Sequence, residues 1–331
     1  MPRGLTPPFM EDLLIGELKE LLRIVKLDDT LCLEIREGYI NVYYRGGCLF
    51  KVDPGNPYDF DFSDQYFGAR GWPFPKPAPN DVRAWLAAIP RLKAEIDAHF
   101  TRSKDEERKE NGKDAAEREV QQLILRDNTN SRISNEVEYF ITDIEYAGQG
   151  FRFDMIAAKW RAVHRPWGHL ARLAILEVKY GEDSIRGDCG LEKHTRDVIR
   201  LLENPKTLDT LIDETNTLAK QKRELGLFPQ FERHENTNEI AIPKGRAPQK
   251  RGIELIFILV NTNPRSGSRT SAKKSNLQME LDKIQEARLV HELNALGCKL
   301  YLARASYMGY GLYADCMEEI KPEPPSAALA D

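Results

Sequence analysis

Residues 173–180, LAILEVKY, read as a buried β-strand interrupted by two charges, Glu177 and Lys179. Two positions apart on a strand, these side chains point to the same face. The strand before it, residues 151–160 (FRFDMIAAKW), places a single acid, Asp154, in a largely apolar run. If the two pair as neighbours through the loop 161–172, Asp154 and Glu177 come close together. Charges near a core strand need a compensating partner or a chemical task. Two carboxylates there make a hard-oxygen site suited to Mg²⁺, which needs neither histidine nor thiolate. A lysine beside them can position a water and stabilise charge developing on a phosphate oxygen, as metal-assisted phosphodiester hydrolysis requires.

Glu-x-Lys spacing carries no weight by itself, since it occurs at Glu17/Lys19, Glu107/Lys109, Glu177/Lys179 and Glu319/Lys321. Three of these lie in polar or helical surroundings, where a solvated charge pair is the natural reading. Only Glu177/Lys179 follows an apolar run, Leu173 to Leu176. An edge-strand salt bridge between the two would explain the pair but not Asp154.

Working outward, AAEREVQQLILRDN (115–128) favours a helix, and 137–146 (VEYFITDIEY) a strand joined to 151–160 by the short AGQG turn. Helices are expected over 190–203 and 208–225, a buried strand over 253–261 (IELIFILVN), a helix over 278–296 ending at Gly297, and a strand over 298–306. The predicted class is α/β, with a mixed central sheet flanked by helices.

In this order the chain resembles the PD-(D/E)xK nuclease superfamily over residues 115–262. The resemblance implies a restriction-endonuclease-like core of helix, three strands, helix and strand. The family's first acid matches Asp154, preceded by Phe153 rather than proline, and its E-x-K matches Glu177-Val178-Lys179. It further implies an acid on the leading helix. Glu119 and Glu117 both qualify, helix phase must choose between them, and the reading leans to Glu119. The backbone carbonyl of Val178 would be a further metal ligand. The helix after the third strand would face substrate, so Lys193, His194 and Arg196 are positions from which a phosphate or the active site could be reached; a solvated helix face is the competing reading. Asp143 and Glu145 share a face of the first strand and could be extra ligands; the preferred reading places them at its wet end.

The N-terminal part reads as a separate α+β module over 1–100: a helix over 9–26, then three short strands at 31–36, 39–45 and 48–52, separated by Glu37-Gly38 and Gly46-Gly47. The aromatic- and proline-rich stretch to Asn80 reads as ordered irregular structure. Asp81 would cap a helix to about residue 100, kinked or broken at Pro90. The nuclease-like domain would cover 101–320, and 321–331 (KPEPPSAALAD) would be a disordered tail.

The 331 residues carry a net charge of −4, with 12 Lys/Arg against 15 Asp/Glu in residues 1–100 and 36 against 37 in the rest. Any polyanion contact must therefore come from local clusters. Between Lys244 and Lys274 stand Lys244, Arg246, Lys250, Arg251, Arg265, Arg269, Lys273 and Lys274 against the single acid Glu254. They form two basic loops flanking the 253–261 strand, suited to phosphate contacts at one end of the sheet, or simply two solvated loops. The loop 159–172 mixes arginines with Trp160 and Trp167, a composition that can stack on bases or pack beneath the loop. His164 and His169 lack a third partner for zinc. Five cysteines without C-x-x-C fit a reducing cytoplasm. Prolines and acids at the N-terminus, and the absence of an apolar run near ~18 residues, argue against secretion and membrane insertion.

The expected activity is that of a cytoplasmic, prokaryotic, Mg²⁺-dependent nuclease, with Mn²⁺ able to substitute. Asp154, Glu177 and Glu119 would hold the metal and Lys179 would orient water. DNA is preferred to RNA as substrate by analogy within the superfamily. The alternative is a catalytically silent nuclease-fold module for binding or assembly. The sequence assigns no role to the first 100 residues, leaving DNA, a protein partner or a second copy of the chain open, and a homodimer is compatible with it.

Overall fold

Alternating apolar residues between Leu31 and Asp53 build an antiparallel meander, seen in a computed structural model that describes residues 2–55, 58–106, 111–130, 138–187, 190–228, 239–260, 275–304 and 312–323. Strands β1 (Leu31–Ile35), β2 (Ile40–Tyr44), β3 (Gly47–Asp53) and β4 (Asp59–Asp61) pair in chain order. The β2–β3 turn is two residues long, and both Arg45 (φ 50°) and Gly46 (φ 77°) are left-handed, as a tight hairpin favours. A Cβ on Gly46 would lie 2.7 Å from the Arg118 backbone, so the helix carrying Arg118 can approach only a glycine there.

Helices α1 (Pro7–Leu14), α2 (Lys19–Leu27) and α3 (Val82–Glu106) share one apolar core with the meander, including Phe9, Leu21, Val42, Phe50, Trp85 and Leu92. The single helix expected over 9–26 is two, with the break around Gly16, a residue poor at holding helical backbone. Asp81 does cap α3, accepting the Ala84 amide at 3.0 Å, and α3 continues through Pro90 to Glu106. The aromatic stretch after β4 is ordered by its own rings, such as Phe67 against Trp72 at 4.5 Å.

The chain divides into two compact units: Met1–Asn135 with Thr142–Ile144 and Glu214–Glu239, and Glu136–Ile141 with Glu145–Asp213 and Ile240–Asp331. This division falls beyond the boundary expected near residue 100, because helix α4 (Asn111–Leu125) is tied to the meander. Gln122 accepts the Gly46 amide at 2.7 Å and donates to the Thr30 carbonyl at 2.8 Å.

The first unit also buries charge. Glu34 and Lys222 pair at 2.7 Å with almost no exposure. Asp143 is buried between Arg36 (2.5 Å) and Arg3 (2.6 Å). That corrects the expected wet-end position of Asp143.

The second unit holds a six-stranded sheet in the order β10-β9-β8-β7-β6-β5: β5 (Tyr139–Gly148), β6 (Phe151–Lys159), β7 (Arg172–Tyr180), β8 (Ile253–Val260), β9 (Cys298–Arg304) and β10 (Glu318–Ile320). β6–β7 and β9–β10 are antiparallel, whereas β7, β8 and β9 run parallel. Every residue of β8 is buried, as a central strand covered on both faces requires. The helices are α5 (Leu191–Leu202), α6 (Pro205–Glu224, shared between the units from Glu214), α7 (Pro248–Arg251), α8 (Asn276–Glu286) and α9 (Leu289–Ala295). The single helix expected over 278–296 breaks into α8 and α9 at Arg288, whose φ is 57°. The architecture is mixed α/β with two sheets. Among the described residues no helix is long and apolar enough to cross a membrane. Residues 324–331 of the expected tail lie outside the described residues.

Candidate active site

β6 and β7 pair as neighbours, in a register that starts with Met155 opposite Leu176. One step further, Asp154 and Glu177 face each other across the pair on one side of the sheet. There the ladder changes hands: the Val178 amide donates to Asp154 Oδ2 at 2.7 Å. In a strand the carbonyl of a residue leaves on the same side as its amide. Val178 therefore aims its carbonyl towards Asp154 as well.

Glu177 is fully buried and Lys179 is 3% exposed, with Lys179 Nζ 3.6 Å from Glu177 Oε2. From α5, His194 brings Nδ1 to 3.1 Å from the same Oε2. Four side chains thus converge: Asp154, Glu177, Lys179 and His194. Burial, and then the negative charge of Glu177, push the Asp154 carboxyl well above the usual carboxylate range. The Lys179 charge and the Val178 amide oppose that push, and Glu145 adds to it. Burial and the neighbouring Lys179 push the His194 imidazole down to about 4.

Not every interrupted strand makes such a site. Glu254 on β8 is also buried, but its carboxylate accepts from Lys159 at 2.6 Å and from Tyr139 at 2.7 Å. Ala157 and Ala174, small and fully buried on the intervening strands, accompany this cluster. Both oxygens are committed, and the cluster reads as a structural pin across the sheet. Both acids interrupt an apolar strand; Glu177 has Lys179 two positions on, whereas the cationic partner of Glu254, Lys159, comes from another strand.

Glu119 belongs to the first unit, where its carboxylate accepts from Arg45 Nε at 2.8 Å, and Arg45 also pairs with Asp97 at 2.6 Å. Lys193 and Arg196 sit on the exposed face of α5, paired along the helix with Asp197 and Glu192. Of the three α5 candidates, the helix phase turns only His194 inward.

The basic residues before β8 stand at the wrong end of the sheet. Lys244, Arg246, Lys250 and Arg251 precede Ile253, while Glu177 and Lys179 pair with Phe257 and Leu259. At ~3.3 Å per residue that is roughly 13–20 Å away. Lys244 pairs with Asp213 at 2.9 Å, and Arg251 donates to the Leu202 and Leu296 carbonyls. The first basic loop therefore lies at the end remote from the acids. The second leaves β8 at Val260, opposite Tyr180, but Arg265, Arg269, Lys273 and Lys274 lie outside the described residues. The loop between β6 and β7 is likewise remote from the acids. Trp160 is fully buried and donates to the His164 carbonyl, so it offers no stacking face. Trp167, 52% exposed, is available but stands at the remote end.

Among the described residues no three His, Cys, Asp or Glu side chains are arranged to hold a metal ion. A cation here would rest on two carboxylates, the Val178 carbonyl and water. That donor set is all hard oxygen and fits Mg²⁺ or Mn²⁺, ions that keep several waters. The paired acids fit it too, since a divalent cation relieves the repulsion that drives Asp154 towards its protonated form. Compared with protein-family models, with curated proteins and with solved structures, the chain matches none.

Proposed function

We propose that the second unit is a metal-dependent phosphodiesterase acting on nucleic acid, DNA in the first instance, built on a PD-(D/E)xK-type arrangement. The observation that carries the reading is the convergence of Asp154, Glu177 and Lys179 at one point of the β6–β7 pair, with the Asp154 carboxyl destabilised as an anion by its neighbour. The strand pattern, an antiparallel hairpin followed by parallel β8 and β9, supports a restriction-endonuclease-like core.

Asp154 and Glu177 would hold Mg²⁺ with the Val178 carbonyl. When bound, the cation supplies a water of lowered pKa and neutralises charge on the scissile phosphate. Lys179, held beside Glu177 in a nearly water-free position, orients the attacking water and stabilises the developing charge on the phosphate oxygens. Glu119 stays with Arg45 and is given no part in the chemistry. DNA as substrate rests on analogy within the superfamily.

One observation favours a second reading. The 3.6 Å Lys179–Glu177 contact also suits a nuclease-like module that binds or assembles without turnover. Incubating the purified protein with supercoiled plasmid and linear duplex, in Mg²⁺, in Mn²⁺ and in EDTA, separates the two. Metal-dependent cleavage lost in Lys179→Ala supports the enzyme. Absence of cleavage on DNA and on RNA, together with absence of Mn²⁺ binding by calorimetry, rejects it.

A further inference from the structure

We infer that His194 is the positioning residue of the Glu177 carboxylate, holding it in the orientation that presents it to a cation; this rests on the metal-binding reading above.

In α5 the buried residues Leu191, Thr195, Val198 and Leu202 recur at helical spacing and face inward. His194 lies on the edge of that stripe, 15% exposed, while its neighbours Lys193 and Arg196 point out and are engaged by Asp197 and Glu192. Packing of the apolar stripe therefore fixes where the imidazole goes, without any contribution from the charges around it.

Its Nδ1 arrives 3.1 Å from Glu177 Oε2, the same oxygen that Lys179 approaches at 3.6 Å. A carboxylate with two approaches on one oxygen is limited in rotation about its last torsion, and the other oxygen is thereby aimed. Lys179 alone would not achieve this, because a flexible ammonium attracts a carboxylate from many directions. A planar ring on a packed helix approaches it from one fixed direction, at 3.1 Å. Groups that orient a ligand without touching the metal typically change metal affinity by about 10–100-fold when removed.

Calorimetric titration with Mn²⁺ alone tests the inference without requiring turnover. His194→Ala is expected to weaken Mn²⁺ binding at least tenfold. His194→Asn, whose Nδ2 can stand near the place of Nδ1, is expected to recover most of it, and His194→Gln less. In a Glu177→Gln background, His194→Ala should change nothing further, since it acts through Glu177. Near-ultraviolet circular dichroism checks that each variant is folded. Parent-like Mn²⁺ binding in His194→Ala, or an equal loss in the Glu177→Gln background, overturns the positioning role alone. Failure of the unsubstituted protein to bind Mn²⁺ overturns the metal site and this inference with it.

Discussion

Asp154 Oδ2 accepts the Val178 amide at 2.7 Å, so a side chain does at this step what a backbone carbonyl of β6 does elsewhere in the pair. One hydrogen bond ends the ladder, places a carboxylate opposite Glu177, and leaves the Val178 carbonyl aimed at the same point. Concentrating negative charge in a buried place is unfavourable for stability, and that tension can be measured.

Replacing Asp154 by Asn should stabilise the metal-free protein at neutral pH. Asn keeps an oxygen for the Val178 amide and removes the charge. Because the folded carboxyl titrates above its ordinary value, its favourable contribution is complete below about pH 4 and is lost as pH rises towards the folded pKa. Melting curves from pH 4 to 8 should show the variant gaining on the parent as pH rises, and Mg²⁺ should narrow the gap. A gap independent of pH would contradict the account.

Lys179→Ala should reduce cleavage by at least ~10²-fold, on the scale of removing one donor from a site that stabilises developing charge. Circular dichroism should stay that of the parent. Turnover within a few-fold of the parent would remove Lys179 from the chemistry.

Glu254→Gln should do the reverse. It strips the charge partner of Lys159, whose ammonium is 2.6 Å away and mostly buried. Breaking such a pair costs about 3 kcal/mol or more. Urea unfolding should register that loss, while cleavage per folded molecule stays at the parent level.

Glu34 and Lys222, in the first unit, should show strong coupling. Either Glu34→Leu or Lys222→Met alone leaves a buried charge uncompensated and costs about 3–5 kcal/mol. The double variant should recover most of that, because two apolar side chains of similar size need no partner. Additive losses across the cycle would show that the pair is not coupled.

Glu119→Gln should leave cleavage within about threefold of the parent and stability within about 1 kcal/mol, as for a partly exposed ion pair with Arg45. A loss matching that of Lys179→Ala would return Glu119 to the metal site.

Much of the second unit is legible in residues 137–180 and 253–304, because strand and helix periodicities are local properties of the chain. The same-face placement of Glu177 and Lys179 follows from the pleat alone, and the short turn at 147–150 announces a hairpin. What the sequence by itself determined was therefore the set of elements and the suspicion attached to Asp154, Glu177 and Lys179. Tertiary packing decided what each charge faces. His194 meets Glu177 because the apolar stripe of α5 docks that way, while Lys193, one residue earlier, is turned to solvent. Glu254 is pinned by Tyr139, 115 positions away, and Glu34 by Lys222, 188 positions away. Asp143, judged a wet-end residue by its neighbours, is enclosed by Arg3 and Arg36. A buried carboxylate looks the same along the chain whether it is satisfied or strained, since its energy is set by the groups that folding brings to it and by the water that folding takes away.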